Sequence, residues 1–213
     1  MAIRIDPRET ALLVIDMQNA FCHPEGGLAR AGVSIEHQRS VVPNVKRLVQ
    51  VCSQAGVPIL WSIQEHWPED RTRKRHRIPS HLDKRGLQIC ARGSWDAELH
   101  PELKAECRPE DYVFHKHRMS CFFDTTLHTK LRMLGTEVLI ISGLNTNVCV
   151  ESTIRDAYFR DYDLLVVEDC IACSFPDLHR ATLKNVEIYF GQVTSLQELE
   201  KLLAEGRVAA VPR

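Results

Sequence analysis

Short, unbroken apolar runs alternate with longer amphipathic stretches, and this alternation limits the possible folds more than any other feature of the chain. Ala11 to Ile15, Val57 to Ile63, Val138 to Ile141 and Leu164 to Val167 are rich in leucine and β-branched residues, and polar residues or glycine bound them. Strands that are apolar at consecutive positions, rather than at alternate ones, are covered on both faces. Between these runs, apolar residues recur at spacings of three and four. Val41, Val45, Leu48, Val49 and Cys52 make one helical stripe, with Ser40 as its expected cap and Gly56 as its stop. Leu127, Leu131 and Leu134 make a second between Asp124 and Gly135. Val150, Ile154, Ala157 and Tyr158 form a third, and Leu196, Leu199, Leu202 and Leu203 a fourth. Such strand–helix alternation implies parallel pairing, right-handed crossovers and helices on both sheet faces. The expected fold class is α/β, a three-layer sandwich forming a single domain over residues 1–213, a length one domain accommodates.

Twenty-seven Lys and Arg oppose 28 Asp and Glu, a formal charge of −1. This balance gives no electrostatic ground for nucleic acid or an anionic membrane as partner. The apolar runs fall far short of the ~20 residues of a membrane span. Met1 to Thr10 lacks the apolar core of a secretory signal, so the expected location is cytoplasmic, with the eight cysteines kept as thiols. One stretch breaks the rhythm: Gln64 to Glu98 is polar and rich in Arg and His, long enough to be a lid or a subunit contact. Its basic run, Arg71 to Arg77, has no interleaved aromatics and reads as a solvated face or an oligomer contact.

Open parallel sheets bind ligands outside the carboxyl ends of their strands. Asp16 follows the first apolar run, Lys116 follows the segment Tyr112 to Phe114, and Glu168 and Asp169 follow the fifth strand. Beyond Val138 to Ile141 comes Gly143-Leu144-Asn145-Thr146-Asn147-Val148-Cys149, leading into the third amphipathic helix. Singly, each residue has a plain reading: a turn cap for Asp16, an exposed charge for Lys116, an inert buried thiol for Cys149. Together, a carboxylate, a cation and a thiol at a helix start, where the dipole is expected to depress its pKa, supply a base, a charge-balancing group and a nucleophile. Cys170-Ile171-Ala172-Cys173 has the spacing of a redox dithiol, or is simply two semi-buried thiols.

Val14-Ile15-Asp16-Met17-Gln18-Asn19-Ala20-Phe21, Lys116-His117-Arg118-Met119-Ser120-Cys121-Phe122, and Gly143 through Cys149-Val150-Glu151-Ser152-Thr153 stand in this order along the chain. They resemble the three signature blocks of the isochorismatase-like cysteine hydrolases, with matching context from about Thr10 to Leu203. The resemblance implies a Rossmann-like six-stranded, mostly parallel sheet and a catalytic triad of Asp16, Lys116 and Cys149. It also implies a cis peptide at Leu144–Asn145 that aims the Asn145 and Cys149 N–H groups at a substrate oxyanion. No cofactor is implied. Gln64-Glu65-His66-Trp67-Pro68 lacks the Asp-x-His pair of the metal-binding nicotinamidases, so no metal is expected, although His66, His76 and His81 lie in the same stretch.

Further blocks are similar to the ureidoacrylate, biuret and triuret amidohydrolase branch: Gly26 to Gly32, Arg92-Gly93-Ser94-Trp95-Asp96 and Phe190-Gly191-Gln192-Val193. By that resemblance the substrate is a small ureido or carbamoyl amide. Gln18, Asn19, Asn145 and Gln192 are its candidate polar contacts, and Phe21 an apolar wall. The alternatives are a nicotinamidase or an N-carbamoylsarcosine-type amidase, and outside enzymes a non-catalytic binding member of the fold. Relatives are often homodimers or homotetramers, and this chain is expected to be one.

Overall fold

The six strands are Thr10–Ile15 (β1), Ile59–Gln64 (β2), Tyr112–Lys116 (β3), Val138–Leu144 (β4), Asp163–Ala172 (β5) and Gln192–Thr194 (β6). A computed structural model describes residues 5–67, 69–72, 77–79 and 88–208. All the strands pair in parallel, in the order β3-β2-β1-β4-β5-β6. β1 and β2 are buried at every position, as their unbroken apolarity requires. Successive side chains point to opposite faces, so each strand feeds two cores. Leu12 and Val14 join Leu48, Trp61 and Leu199 on one face, and Leu13 and Ile15 join Leu131, Val150 and Ile154 on the other.

Nine α-helices lie among the described residues: Asn19–Cys22 (α1), Gly27–Arg30 (α2), Glu36–Ser40 (α3), Val42–Ala55 (α4), Pro101–Lys104 (α5), Leu127–Met133 (α6), Glu151–Tyr158 (α7), Pro176–Asn185 (α8) and Leu196–Val208 (α9). α4 ends at Gly56, whose φ of +78° is the left-handed stop that a glycine adopts without strain. Its start differs from expectation. Ser40 does not cap it; its hydroxyl donates to His37 O at the end of the separate short helix α3, and Pro43 in the first turn of α4 supplies the start. Asp124 likewise stands clear of α6, where Thr125 Oγ1 accepts from Leu127 N–H at 3.2 Å.

Glu168 and Asp169 do not end the fifth strand. Ile141 pairs with Val166 but Gly143 pairs with Ile171, so β5 bulges at this point and runs on to Ala172. Asp169 ties helices to the sheet instead: its backbone O accepts from Asn44 Nδ2 and its Oδ1 from Leu196 N–H, both at 2.9 Å.

The strand order reverses direction between β1 and β4, which opens a crevice at their carboxyl ends, the place where such sheets bind ligands. Among the described residues no helix is long and apolar enough to cross a membrane. His76, His81 and residues 73–76 of the basic run lie outside the described residues.

Candidate active site

Asp16 is the first residue beyond β1 and holds φ at +51°, a left-handed conformation uncommon for a side chain other than glycine. Neighbouring β2 fixes it there: Asp16 N–H donates to Ser62 Oγ at 3.2 Å, and the Ser62 hydroxyl donates to Asp16 Oδ1 at 2.6 Å. Lys116 ends β3, and its fully buried side chain brings Nζ to within 2.7 Å of Asp16 Oδ2. At that distance the ammonium neutralises the charge on Asp16 Oδ2. Lys116 Nζ also donates to Gln64 Oε1 at 2.6 Å, Arg118 O at 3.1 Å and Cys149 Sγ at 3.4 Å.

Cys149 arrives from β4. Gly143, at φ +108°, is the residue that lets the chain turn here, since a Cβ in its place would strike the backbone of Ile15. The peptide Leu144–Asn145 is cis. Residues Thr146–Val150 then form a wide turn, with Val150 N–H donating to Asn145 O at 3.2 Å, before α7 begins. The three side chains that the strand-end argument collected from distant parts of the chain therefore converge.

Their electrostatics differ from expectation. Burial pushes the Cys149 thiol well above its ordinary range, the Lys116 ammonium pulls it part of the way back, and the Asp16 carboxylate pushes it up again. The thiol is raised rather than depressed because desolvation outweighs the one ammonium beside it. For Lys116, burial works against the charge, but the Asp16 carboxylate beside it outweighs that, so its pKa lies above the ordinary lysine value. The resting site is a neutral thiol poised between an ammonium and a carboxylate.

A cavity of about 1230 Å³ opens over Cys149, and Phe21, Gln64, Arg77 and Asn145 share its wall. Phe21 and Asn145 are thus where the sequence placed them. Gln18, Asn19 and Gln192 are not. Gln18 is wholly buried, its Nε2 donating to Gln64 O and Ala97 O and its Oε1 accepting from Gln64 N–H, which commits both ends of the amide to tying β2 to the segment before α5. Asn19 Nδ2 donates to Trp95 O, and Gln192 is exposed on the far strand β6. Gln18 and Asn19 brace the loops around the site instead.

Two residues of the site escaped sequence reading. Ser62 sits inside the run read only for its apolarity, and Gln64, read as the start of the polar excursion, ends β2; they hold Asp16 and Lys116. The strand-end rule, applied to β2 as well, points to Gln64. Cys170 and Cys173 do not form a redox pair. Cys170 packs in one core while Cys173 lines the cavity, and both are free thiols.

Part of the polar excursion lies at the cavity mouth. Arg77, Ile78 and Pro79 line it, and Trp67 stacks on His117 at 5.0 Å. Arg118 donates to Asp70 Oδ2 at 2.7 Å and to Thr72 Oγ1 at 3.0 Å, which anchors the excursion to the segment after β3. His66 also lines the cavity, and no group of three metal-binding side chains converges among the described residues.

The isochorismatase domain model matches residues 10–198. A ureidoacrylate amidohydrolase, RutB, from Methylobacterium radiotolerans is 36% identical over 94% of this chain and 82% of its own length. Among solved structures, a cysteine hydrolase from Pseudomonas syringae pv. phaseolicola superposes with a TM-score of 0.85 at 28% identity, covering 96% of this chain and 97% of that one. N-carbamoylsarcosine amidase from Thermoplasma acidophilum gives 0.72 at 25% identity, over 88% of this chain and 96% of that one.

Proposed function

The chain belongs to the isochorismatase family and is a hydrolase of amide C–N bonds; from that premise we propose that it cleaves a small ureido or carbamoyl amide through Cys149. The observation that carries this reading is the contact of Asp16, Lys116 and Cys149 beneath one cavity. The similarity to a ureidoacrylate amidohydrolase and to an N-carbamoylsarcosine amidase supports the choice of substrate class.

The thiol proton passes to Asp16 as sulfur attacks the ureido carbonyl carbon. Lys116 holds the carboxylate in place and balances the negative charge while the proton is in transit. The backbone N–H groups of Asn145 and Cys149 face the oxyanion, where one well-placed donor is worth roughly 3–4 kcal/mol of barrier. Asp16 then gives its proton to the leaving nitrogen, and the C–N bond breaks to leave a carbamoyl thioester. Water surrenders a proton to Asp16 and adds hydroxide to the carbonyl, and the sulfur departs as the restored thiol with carbamate released.

Arg77 favours a substrate bearing a carboxylate. It lines the cavity at its exposed mouth and has no ion-pair partner among the described residues, whereas Arg118 is committed to Asp70. Arg77→Gln should therefore raise KM for ureido acids roughly tenfold, the scale of one charged hydrogen bond, and leave KM for neutral biuret unchanged. Steady-state kinetics on both substrates checks this.

The reading as a whole is tested by ammonia and amine release from ureidoacrylate, biuret, triuret, N-carbamoyl amino acids and nicotinamide. Turnover of ureido compounds is expected. Turnover of nicotinamide alone, or of none of them, would overturn it.

A further inference from the structure

Gln38 has no place in the triad, yet its side chain reaches the wall of the active-site cavity. It sits on the short helix α3 with no exposed surface. Its Nε2 donates to Asn145 Oδ1 at 3.2 Å and to Ser174 Oγ at 2.6 Å, and both of these partners line the cavity. Its Oε1 is buried without any hydrogen-bond partner. A buried acceptor left unpaired destabilises a fold, and an apolar side chain of the same shape would avoid the penalty. Stability therefore does not account for a glutamine at this position.

What the glutamine does is hold one orientation of the Asn145 amide. With Oδ1 engaged by Gln38, the Asn145 Nδ2 has no partner among the described residues, and Asn145 lines the cavity. Asn145 follows the cis peptide and begins the turn that carries Cys149. An amide fixed in this way turns its two N–H donors, rather than its carbonyl, towards a bound ligand.

The geometry points to Gln38 as a positioning residue that sets the Asn145 side chain to donate to an oxygen of the substrate, either a second carbonyl or a carboxylate. This rests on the amidase reading above and deepens it: the group beside the scissile ureido must present an acceptor towards β4. Biuret, triuret and ureido acids all meet that requirement, whereas a plain alkyl urea does not.

The test is a double-mutant cycle between Gln38→Met and Asn145→Ala, read as KM and kcat separately on the ureido substrate that the wild type turns over best. Gln38→Met alone is expected to raise KM about tenfold, with kcat within about threefold and with Tm unchanged or higher, because the orphaned acceptor is gone. In the Asn145→Ala background, which itself raises KM, the same change should add less than twofold. Equal KM factors in both backgrounds, or wild-type KM in Gln38→Met, would overturn the proposal. So would a loss confined to kcat and accompanied by a fall in Tm, the pattern of a merely structural residue. An alkyl urea provides the control: its KM, already high, should not move in Gln38→Met. If the wild type turns over some other amide but no ureido compound, the functional reading fails by itself, and the cycle run on that amide still decides the role of Gln38. If it turns over no amide, both fail.

Discussion

Cys149→Ala is expected to lower kcat for ureido hydrolysis by about 10⁴-fold or more, the scale seen when an enzyme loses its nucleophile, while Tm stays within a few degrees of wild type. The second half follows from the contacts of Lys116. Without the sulfur, its buried ammonium still has Asp16, Gln64 Oε1 and Arg118 O, so no charge is stranded. Amine release and differential scanning fluorimetry measure the two halves, and full activity in Cys149→Ala would remove the nucleophile from the mechanism. The resting state has a signature of its own. Burial raises the Cys149 thiol, so its thiolate fraction should grow with pH throughout the alkaline range. Iodoacetamide labelling of Cys149 in the free enzyme, followed by mass spectrometry, should accelerate accordingly. A labelling rate already at its plateau at pH 7 would mean that the thiolate exists before substrate arrives.

The other large effect concerns the ion pair. Lys116→Met should destabilise the protein by about 3–5 kcal/mol, because it leaves the Asp16 carboxylate buried and without its counter-charge. For a domain of this size that is a fall in Tm on the order of 10 °C. Activity should vanish with it. Asp16→Asn added to Lys116→Met removes the stranded charge, so the double variant should regain much of the lost stability and none of the activity. Urea unfolding of the two proteins separates these outcomes. If both unfold at the same urea concentration, the pair does not carry the electrostatic balance assigned to it. A buried pair is at best a modest source of stability compared with apolar residues of the same shape, and the proposed mechanism gives this one a use as base and charge-balancing group.

The parts of this molecule that follow from local pattern were legible in the sequence. Consecutive apolar residues in β1 announced a strand covered on both faces, Gly56 announced the end of α4, and strand-end logic led to Asp16, Lys116 and Cys149. What escaped was set by contacts between elements far apart in the chain. Ser40 had the right chemistry for a cap, but Pro43 starts the next helix and leaves Ser40 to close the previous one. Gln18 and Asn19 adjoin Asp16 in sequence, yet they point into the scaffold, because the left-handed turn at Asp16 breaks the simple alternation that would aim them at the cavity. The thiol pKa was misjudged for a related reason. A helix start is visible in sequence, whereas the depth of burial that overrides it is a property of the whole packed molecule.

The register of β1 has a consequence for how the enzyme comes into being. Thr10 pairs with Val138, and Ile15 with Gly143, so the second of the central strand's two partners is made more than a hundred residues later. During synthesis a domain gains its distant pairings last. A growing chain carries Asp16 and then Lys116 long before any competent centre exists. Under the proposed mechanism, catalytic power switches on only when the fourth strand slots in alongside the first and delivers its sulfur, so a ribosome stalled before that moment holds an inert polypeptide.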